Sequence, residues 1–481
     1  MSIAMKKRFL YILLGASMLA TSCDALSDFG DMNDNPNATT QPITSALLTN
    51  VLSGVAGYAS NNHYQPGLYA QYISETQYTE ASLYSLPQNN FTAYYSGHLM
   101  DLQNIINTDV DNPNMQAVAQ IVQQYIFWYL TDLWGDIPYS EALQGITPKY
   151  DRQEDIYKGI LTKLAEAESM LTSSAIIKGD IVYNGDITKW KKLANSLRLL
   201  VSLQLSKKFP GPNDYAATEF KAALNDPDGV ITTNEDNFKL NFPGGNFKNP
   251  WRNTYDGRKD YAQSKTLTDI TANLSDDRQR AFGGATEDLS SPNAFATSNV
   301  GFPYGLPRAQ AEAFASANTN FARVLRGDFR TEDAPYVIIS AGQVYLARAE
   351  AAQLGWTSEN KNNLYRDGIT LSFEQWGESV SNSYLNQSGV ALNGTADDAN
   401  KISLQRYIAH YPDGRMGWNI WRKSGVPSLS PAPGANPGTE IPRRFMYGSN
   451  EQATNKANLD EAVARIPGGQ DVMSARVWWD Q

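Results

Sequence analysis

QAVAQIVQQYIFWYLTDLWGDIPYSEALQG, residues 116–145, contains the clearest helical pattern of this chain. Its apolar side chains recur every three or four residues, which is the spacing of one face of an α-helix. Gly135 follows the last of them and ends the run, as glycine commonly does at a helix C-terminus. We therefore expect a long helix that packs through one stripe, formed by Val118, Ile121, Val122, Tyr125, Ile126, Tyr129 and Leu133.

Further helices are predicted downstream. One follows Asp151, with Glu154 three residues later as in a capping box, and another follows Asp186. Two more, near 335–354 and 361–376, form a predicted helical hairpin. The first helix of that hairpin carries small side chains that would let the two axes approach closely, namely Ala347, Ala349, Ala351 and Ala352.

These paired helices resemble tetratricopeptide-type units, although no fixed period of about 34 residues is readable. Long polar segments rich in Gly, Asn, Ser and Pro interrupt them at 58–95, 243–330 and 377–400. Structureless segments of that length usually carry function. The prediction is a mostly α fold, a solenoid-like helical scaffold with long irregular loops, in one domain over residues 46–481.

The N-terminus has the pattern of an export signal. MKKRF (5–9) is cationic, and the apolar run after it is too short to span a bilayer. Small residues then precede Cys23, the only cysteine of the chain. We interpret residues 1–22 as a lipoprotein signal peptide, Cys23 as the lipidated residue and 23–45 as an acidic tether.

The net charge makes nucleic acid an unlikely ligand class. The chain has 40 basic and 50 acidic side chains, a formal charge of −10, and the basic residues form no runs. Removal of the signal peptide with its three basic residues would leave 37 basic and 50 acidic groups, a charge of −13. The exported body is therefore predicted to be acidic.

Sequence motifs of catalysis are absent. The chain has no H-E-x-x-H, G-x-S-x-G, Walker A or Rossmann pattern, and its three histidines are widely separated. Acid pairs such as Asp132 with Asp136, or Asp276 with Asp277, could in principle support glycosidase chemistry. We expect instead that the first pair organises the helix exit, and we predict no catalytic residue, no metal ligand and no cofactor.

The segment 58–95 is rich in uncharged groups that suit a sugar, since it holds eight tyrosines, eight side-chain amides and only two carboxylates. Aromatic rings pack on the C–H faces of sugars, and amides exchange hydrogen bonds with hydroxyls without the cost of desolvating a charge. The alternative is that Tyr69 and Tyr72 continue a helical face and belong to the core. The candidate ligand-binding residues here are Tyr69, Tyr78, Tyr84, Asn89 and Asn90.

A second aromatic patch lies between residues 247 and 304. Its loop context favours at least one solvent-facing ring. The candidate ligand-binding residues are Trp251, Arg252, Tyr255, Tyr261 and Tyr304.

The chain also resembles the SusD/RagB family of outer-membrane nutrient-binding lipoproteins. The matching strings span nearly the whole chain after Cys23, although Gly342-Gln343 and DDR (276–278) depart from the usual family pattern. The strings are FGDMNDNPN (29–37), TDLWGDIPYSEALQG (131–145), YDRQEDIYKGIL (150–161), GDIVYNGDITKWKKLANSLRLLVSLQLSK (179–207), AEAAQLGW (349–356), IPRRFMYGSNE (441–451) and WWD (478–480).

The resemblance implies a SusD-like helical fold with a shallow binding face built from loops. It also implies a location on the extracellular side of the outer membrane and a SusC-like TonB-dependent β-barrel transporter as partner. The expected function is capture of oligosaccharides and their delivery to that transporter. Oligopeptides are an alternative ligand, and a lipid-anchored glycoside hydrolase or a purely structural cap on the barrel are alternative functions.

Overall fold

A computed structural model describes residues 42–173 and 175–481. The predicted signal peptide, Cys23 and nearly all of the predicted tether lie outside the described residues. Residues Thr44–Gln481 form one compact unit.

Helices dominate the described residues, which confirms the predicted mostly α fold. In chain order the α-helices are α1 Thr44–Gly54, α2 Gln65–Tyr69, α3 Thr92–Tyr94, α4 Met100–Thr108, α5 Pro113–Trp134, α6 Gln153–Met170, α7 Ile187–Gln204, α8 Tyr215–Leu224, α9 Pro250–Thr254, α10 Lys265–Leu274, α11 Gln279–Phe282, α12 Arg308–Ala317, α13 Ala341–Gln353, α14 Lys361–Gln375, α15 Asn382–Asn386, α16 Asp398–Ala409, α17 Gly414–Ser424, α18 Ser449–Thr454 and α19 Lys456–Arg465. Short 3₁₀ segments cover Val55–Ala59, Leu205–Lys207, Asn234–Asp236, Gly327–Arg330 and Trp478–Asp480, and Tyr95–Leu99 is a π-helical turn.

The strands are short and pair two by two. The antiparallel pairs are β1 Ile73–Glu75 with β4 Tyr261–Gln263, β3 Phe238–Leu240 with β7 Tyr336–Ile339, and β5 Gly283–Gly284 with β6 Arg323–Val324; the parallel pair is β2 Gln88–Asn89 with β8 Met446–Tyr447. Each pair joins segments distant in sequence. The long polar segments are therefore not structureless, since short strands and helices fasten them to the rest of the chain.

The helix predicted by residues 116–145 is α5, and Gly135 ends it with φ +87° as expected. It begins at Asn112, whose side chain accepts a hydrogen bond from the Met115 N–H (3.2 Å). The prediction of a single packing stripe is wrong, because every residue from 121 to 135 is buried. Helices α4, α6 and α17 all pack against α5 and cover its different sides.

The predicted capping box at Asp151 is also wrong, because α6 begins one residue later and Arg152 is its N-cap. The Asp151 carboxylate instead accepts hydrogen bonds from the backbone N–H groups of Tyr139 (3.0 Å) and Ser140 (2.7 Å). It therefore fastens the turn that follows α5. The start of α7 is as predicted, since Asp186 accepts from the Lys189 N–H at 3.2 Å.

The predicted hairpin of residues 335–376 is shorter than expected at its N-terminal end. Residues 336–339, with the sequence YVII, form strand β7, and helix α13 begins after Ser340. Branched and aromatic side chains favour a strand at such a site. Two glycines let α13 and α14 approach closely, because a Cβ on Gly342 would be 3.0 Å from the Gly368 carbonyl oxygen.

Neighbouring helices pack in successive pairs, as expected for a helical-repeat scaffold. The pairs are α4 with α5, α6 with α7, α7 with α8, α13 with α14, and α16 with α17. In the part of the chain that the structure describes, no helix has both the length and the apolar composition required to span a bilayer.

A buried carboxylate on α5 connects three helices. Asp132 is fully buried, and one of its oxygens accepts hydrogen bonds from the Arg415 guanidinium (2.7 Å) and the Asn419 amide (2.5 Å), both on α17. The Tyr157 hydroxyl of α6 donates to its other oxygen. Arg415 is buried too, and its guanidinium lies 4.2 Å from the centre of the Trp128 ring.

We predict that Asp132→Ala destabilises the fold by about 3–5 kcal/mol, because it would remove the carboxylate that accepts a hydrogen bond from the buried Arg415 guanidinium and leave Asn419 and Tyr157 without their acceptor. Urea unfolding followed by circular dichroism measures the change. Asp155→Ala is the matched control, since Asp155 is an exposed carboxylate on α6 and surface substitutions change stability by less than about 0.5 kcal/mol. Equal unfolding free energies for the two variants would contradict the prediction.

Candidate ligand-binding cleft

The structure places five of the ten candidate binding residues in the core. The rings of Tyr69, Tyr84, Trp251, Tyr255 and Tyr304 are all buried. A buried ring has no free face on which a sugar could stack. In this structure these five rings are therefore packed in the core, although Tyr255 also borders the cleft described below.

Three of these tyrosines, Tyr84, Tyr255 and Tyr304, make hydrogen bonds inside the protein through their hydroxyls. The Tyr84 hydroxyl accepts from the Ala432 N–H (3.0 Å) and from the Tyr304 hydroxyl (3.3 Å). The Tyr255 hydroxyl donates to the Tyr261 carbonyl (2.9 Å) and accepts from the Val324 N–H (2.7 Å). A tyrosine with such partners buries its ring without losing hydrogen bonds.

The two candidate amides have local structural contacts. The Asn89 side-chain oxygen accepts from the Gln65 amide (3.2 Å), and Asn89 belongs to strand β2. The Asn90 side-chain oxygen accepts from the Thr92 N–H (2.7 Å) at the start of α3. Neither residue lines the cleft described below.

Tyr78 is the candidate ring that the structure exposes, with 47% of its surface accessible. It lies in the loop after β1 and has a left-handed backbone conformation, φ +55°. At the base of this loop, Glu75 accepts hydrogen bonds from the Ser82 N–H (2.8 Å) and hydroxyl (2.7 Å). The Thr76 N–H donates to the Asp260 carbonyl at 2.8 Å. These bonds hold the Tyr78 side chain away from the core.

Tyr78 borders two adjoining recesses, of about 880 and 310 Å³, which together we call the Tyr78 cleft. Four residues, Gln77, Tyr78, Arg258 and Asp260, line both recesses. The other lining residues are Tyr64, Gln65, Glu75, Glu80, Ala81, Leu86, Arg252, Tyr255, Asp256, Gly257, Lys259, Tyr261, Glu287, Asp288, Leu289 and Ser290. The cleft thus brings together the predicted residues Tyr78, Arg252, Tyr255 and Tyr261.

Aromatic surface in the cleft comes from two places. Tyr64 and Tyr261 stack on each other, with ring centres 4.0 Å apart and planes 18° from parallel. The Arg308 guanidinium lies 4.7 Å from the centre of the Tyr78 ring. Arg308 also pairs with Glu312 at 2.7 Å, which holds the guanidinium in place. The cation–π contact between Arg308 and Tyr78 then positions the Tyr78 ring.

The expectation of an amide-lined, nearly uncharged surface is wrong for this cleft. Its larger recess is lined by Arg252, Arg258 and Lys259 and by four carboxylates. Several of these charges are paired: Asp260 with Arg258 (2.5 Å), Glu287 with Arg323 (2.5 Å), and Asp256 with Lys248. The larger recess therefore presents many donors and acceptors, with three cationic and four anionic side chains.

Composition alone did not identify several cleft residues. Arg258 and Asp260 belong to the charged loop DGRKDY (256–261). A run of charges between aromatic residues could have identified this loop as a candidate part of a binding site. Arg308 has no such signal, because it begins α12 and reaches Tyr78 across 230 residues of sequence.

Among the described residues, one group of three carboxylates lies close enough to share a ligand: Glu168, Asp226 and Asp228, whose oxygens are within 4.8 Å of one another. The Lys191 ammonium already pairs with Glu168 (3.0 Å) and Asp228 (2.7 Å). None of these three carboxylates lines the Tyr78 cleft.

The acid pairs considered for glycosidase chemistry have structural partners. Asp132 and Asp276 are buried, and Asp276 pairs with Arg278 at 2.6 Å. Asp136 accepts from the Gln153 N–H (2.8 Å) and pairs with Arg465 (2.6 Å). These contacts agree with the expectation that Asp132 and Asp136 organise the exit of α5.

Comparison with known families identifies one match over most of the chain. A SusD-like family model, described as "Starch-binding associating with outer membrane", matches residues 36–448. The search of curated proteins finds no significant match.

Solved structures with the same fold cover about nine-tenths of the chain. A chitin-binding protein is 27% identical, with a TM-score of 0.75, and the alignment covers 91% of this chain and 100% of that one. A SusD homologue from Bacteroides fragilis is 26% identical, with a TM-score of 0.77 and coverages of 92% and 100%. A chitin-binding SusD homologue from Flavobacterium johnsoniae, at 23% identity, a TM-score of 0.77 and coverages of 91% and 98%, shows the fold alone.

The carboxylate at the base of the Tyr78 loop makes stability depend on pH. Burial raises the pKa of Glu75 to about 7, against the lowering effect of its hydrogen bonds from Ser82. Burial disfavours the charged form of Glu75 in the folded state, whereas the unfolded chain ionises near pH 4.5. The stabilising contribution of this group is therefore largest below pH 4.5, where Glu75 is protonated in both states. That contribution, up to about 3 kcal/mol, is lost as the pH rises to 7.

We predict that Glu75→Gln removes this loss. The variant should gain stability relative to the natural protein as the pH rises from 4.5 to 7, measured by thermal or urea unfolding at a series of pH values. Glu80→Gln, at an exposed position on the same loop, controls for the exchange of a carboxylate for an amide. A stability difference between Glu75→Gln and the natural protein that does not vary with pH would disprove the assignment.

Proposed function

Because the chain belongs to the SusD-like family of starch-binding proteins that associate with the outer membrane, we propose that it captures oligosaccharides in the Tyr78 cleft. It presents them to a SusC-like TonB-dependent transporter and performs no chemistry on them. The observation that carries this proposal is the exposed Tyr78 ring at the junction of two recesses whose walls are aromatic and polar.

The chemistry of the cleft suits a neutral chain of sugar rings. Tyr78 offers an exposed aromatic surface for the C–H face of one ring, and the Tyr64–Tyr261 stack offers a second aromatic surface. The ion pairs around Asp260 and Glu287 supply oriented hydrogen-bond donors and acceptors to hydroxyl groups. Because most of these charges are already compensated, the cleft favours a neutral ligand over a charged one.

The ligand we propose to test first is a chito-oligosaccharide. The support is the 27% identical chitin-binding protein, all of which aligns with 91% of this chain. The description of the matched family makes malto-oligosaccharides the second choice. An oligopeptide would bring charged termini into a cleft whose charges are already paired.

We further propose that a lipid on Cys23 holds the protein on the outer face of the outer membrane. The support is the signal-like sequence before Cys23 and the acidic residues after it. The transporter partner follows from the family resemblance. In this arrangement the cleft collects sugar chains outside the cell and passes them to the barrel.

We predict that Tyr78→Ala weakens oligosaccharide binding by about 0.5–1.5 kcal/mol beyond the effect of lost area, because one stacking surface is removed. Calorimetry with chito- and malto-oligosaccharides and with peptides of similar length measures the change and identifies the ligand class. This loss corresponds to an increase in Kd of roughly 2- to 12-fold.

Tyr345→Ala is the matched control. Tyr345 also has an arginine, Arg348, at 4.7 Å from its ring centre, but it lies on α13 and does not line the cleft. The proposal fails if both variants bind as the natural protein does, or if peptides bind and no sugar does. Release of reducing sugar by the natural protein would instead favour a hydrolase.

We predict that Cys23→Ser abolishes membrane attachment, because the thiol is the site of acylation. The natural protein should incorporate labelled palmitate and partition with the membrane fraction, whereas the variant should not. Each buried methylene contributes about 0.8 kcal/mol, so the loss of two or three acyl chains should release the protein. Incorporation of palmitate by the variant would refute the anchor.

A further inference from the structure

A second cavity contains polar groups that the Tyr78 cleft does not involve. This cavity, of about 240 Å³, lies where strands β3 and β7 meet the end of α14 and the turn between α16 and α17. We call it the His410 recess. It is lined by Asn234, Asn237, Lys239, Leu325, Phe329, Pro335, Tyr336, Val337, Gln343, Glu374, Gln375, Trp376, His410, Tyr411, Pro412 and Asp413, none of which lines the Tyr78 cleft.

Three buried side chains of the recess have polar atoms without a hydrogen-bond partner among the described residues. They are both ring nitrogens of His410, Oδ2 of Asp413 and Nε1 of Trp376. The exposed fractions of these residues are 1%, 4% and 7%. Buried polar groups are normally paired, so several unpaired ones lining one cavity indicate that an occupant supplies their hydrogen bonds.

The walls of the recess are aromatic. Phe329 and Trp376 meet edge to face with centres 5.2 Å apart, and the rings of Tyr336 and Tyr411 also line the cavity. Aromatic walls with a few convergent polar groups are typical of sites for small organic ligands. At roughly 30 Å³ per water, the recess has the volume of about eight waters, which suits a single sugar ring.

The charges of the recess favour a neutral ligand. Burial lowers the pKa of His410 well below 6.5, and the nearby Arg406 and Arg415 lower it further, so the ring is neutral at pH 7. The Asp413 carboxylate has the Arg415 cation as its charged neighbour. At the half-open mouth, Lys239 and Glu374 carry opposite charges.

We propose that the His410 recess binds one neutral sugar ring, at a site separate from the Tyr78 cleft. A neutral imidazole offers one donor and one acceptor, the indole offers a donor and the carboxylate offers an acceptor. A ring bearing several hydroxyl groups both donates and accepts, so it satisfies all four atoms at once. Its C–H faces pack against Trp376 and the neighbouring aromatic rings.

Fluorine NMR of the full chain labelled with 5-fluorotryptophan tests this site, because Trp376 lies in its wall. Trp376→Phe identifies the Trp376 signal. Glucose, N-acetylglucosamine and glycerol are the probes, added up to tens of millimolar. The expected result is a saturable shift of the Trp376 signal with at least one of the two sugars and a weaker effect of glycerol.

Two variants locate the binding. His410→Leu should raise the apparent Kd about tenfold, because hydrogen bonds to the sugar are lost. Val337→Trp should abolish the shift by filling the recess, whereas Val337→Thr, of nearly equal size, should retain it. Val337 is half-buried and none of the unpaired atoms belongs to it, so this comparison holds even if His410→Leu does not fold.

Tyr78→Ala distinguishes sugar binding in the His410 recess from the oligosaccharide binding proposed for the Tyr78 cleft. This variant should leave the Trp376 shift unchanged. A Trp376 signal that no sugar moves would overturn the proposal and identify the recess as a hydrated part of the core. A shift that persists in Val337→Trp, or that disappears in Tyr78→Ala, would also overturn it, because binding would then lie elsewhere.

Discussion

The buried ion pair between Asp132 and Arg415 is the constraint on which the rest of the structure depends. It joins α5, the most deeply buried helix, to α17, and Asp132 also binds α6 through Tyr157. Both charges are removed from water, so each depends on an opposite charge nearby, and Asp413 is a second carboxylate neighbour of Arg415. This requirement sets the position and rotation of α17 against α5.

The position of α17 in turn places the loops that form the Tyr78 cleft. Gly414 leaves no room for a Cβ beside the backbone of Gly67 in α2, and Gly417 similarly contacts the ring of Tyr72. Strand β1 follows directly, and the Tyr78 loop begins at its end. A continuous path of close contacts therefore runs from the core ion pair to the exposed ring, which lets a shallow surface site have a defined geometry.

Periodicity predicted the long helices well and their ends less well. The predictions for α5, α7 and α14 succeed because their apolar spacing is decided within the helix. The expected helix over 335–340 fails because β3, a hundred residues earlier in the chain, offers the YVII segment a strand partner. Asp151 fails as a helix cap for a similar reason, since the Tyr139 and Ser140 N–H groups compete for its carboxylate.

The amino-acid sequence by itself determined the helical architecture and the resemblance to a nutrient-binding family, because helix period and motif order are local properties of the chain. Only the tertiary structure decided which tyrosines of the loops face solvent. Tyr78 and Tyr84 lie six residues apart in one segment, yet Tyr84 is buried, and the Ala432 N–H, 348 residues away, donates to its hydroxyl. Tyr78 has Arg308 beside its ring and stays exposed. Contacts with distant segments thus distinguish these two tyrosines, and local sequence does not contain that information.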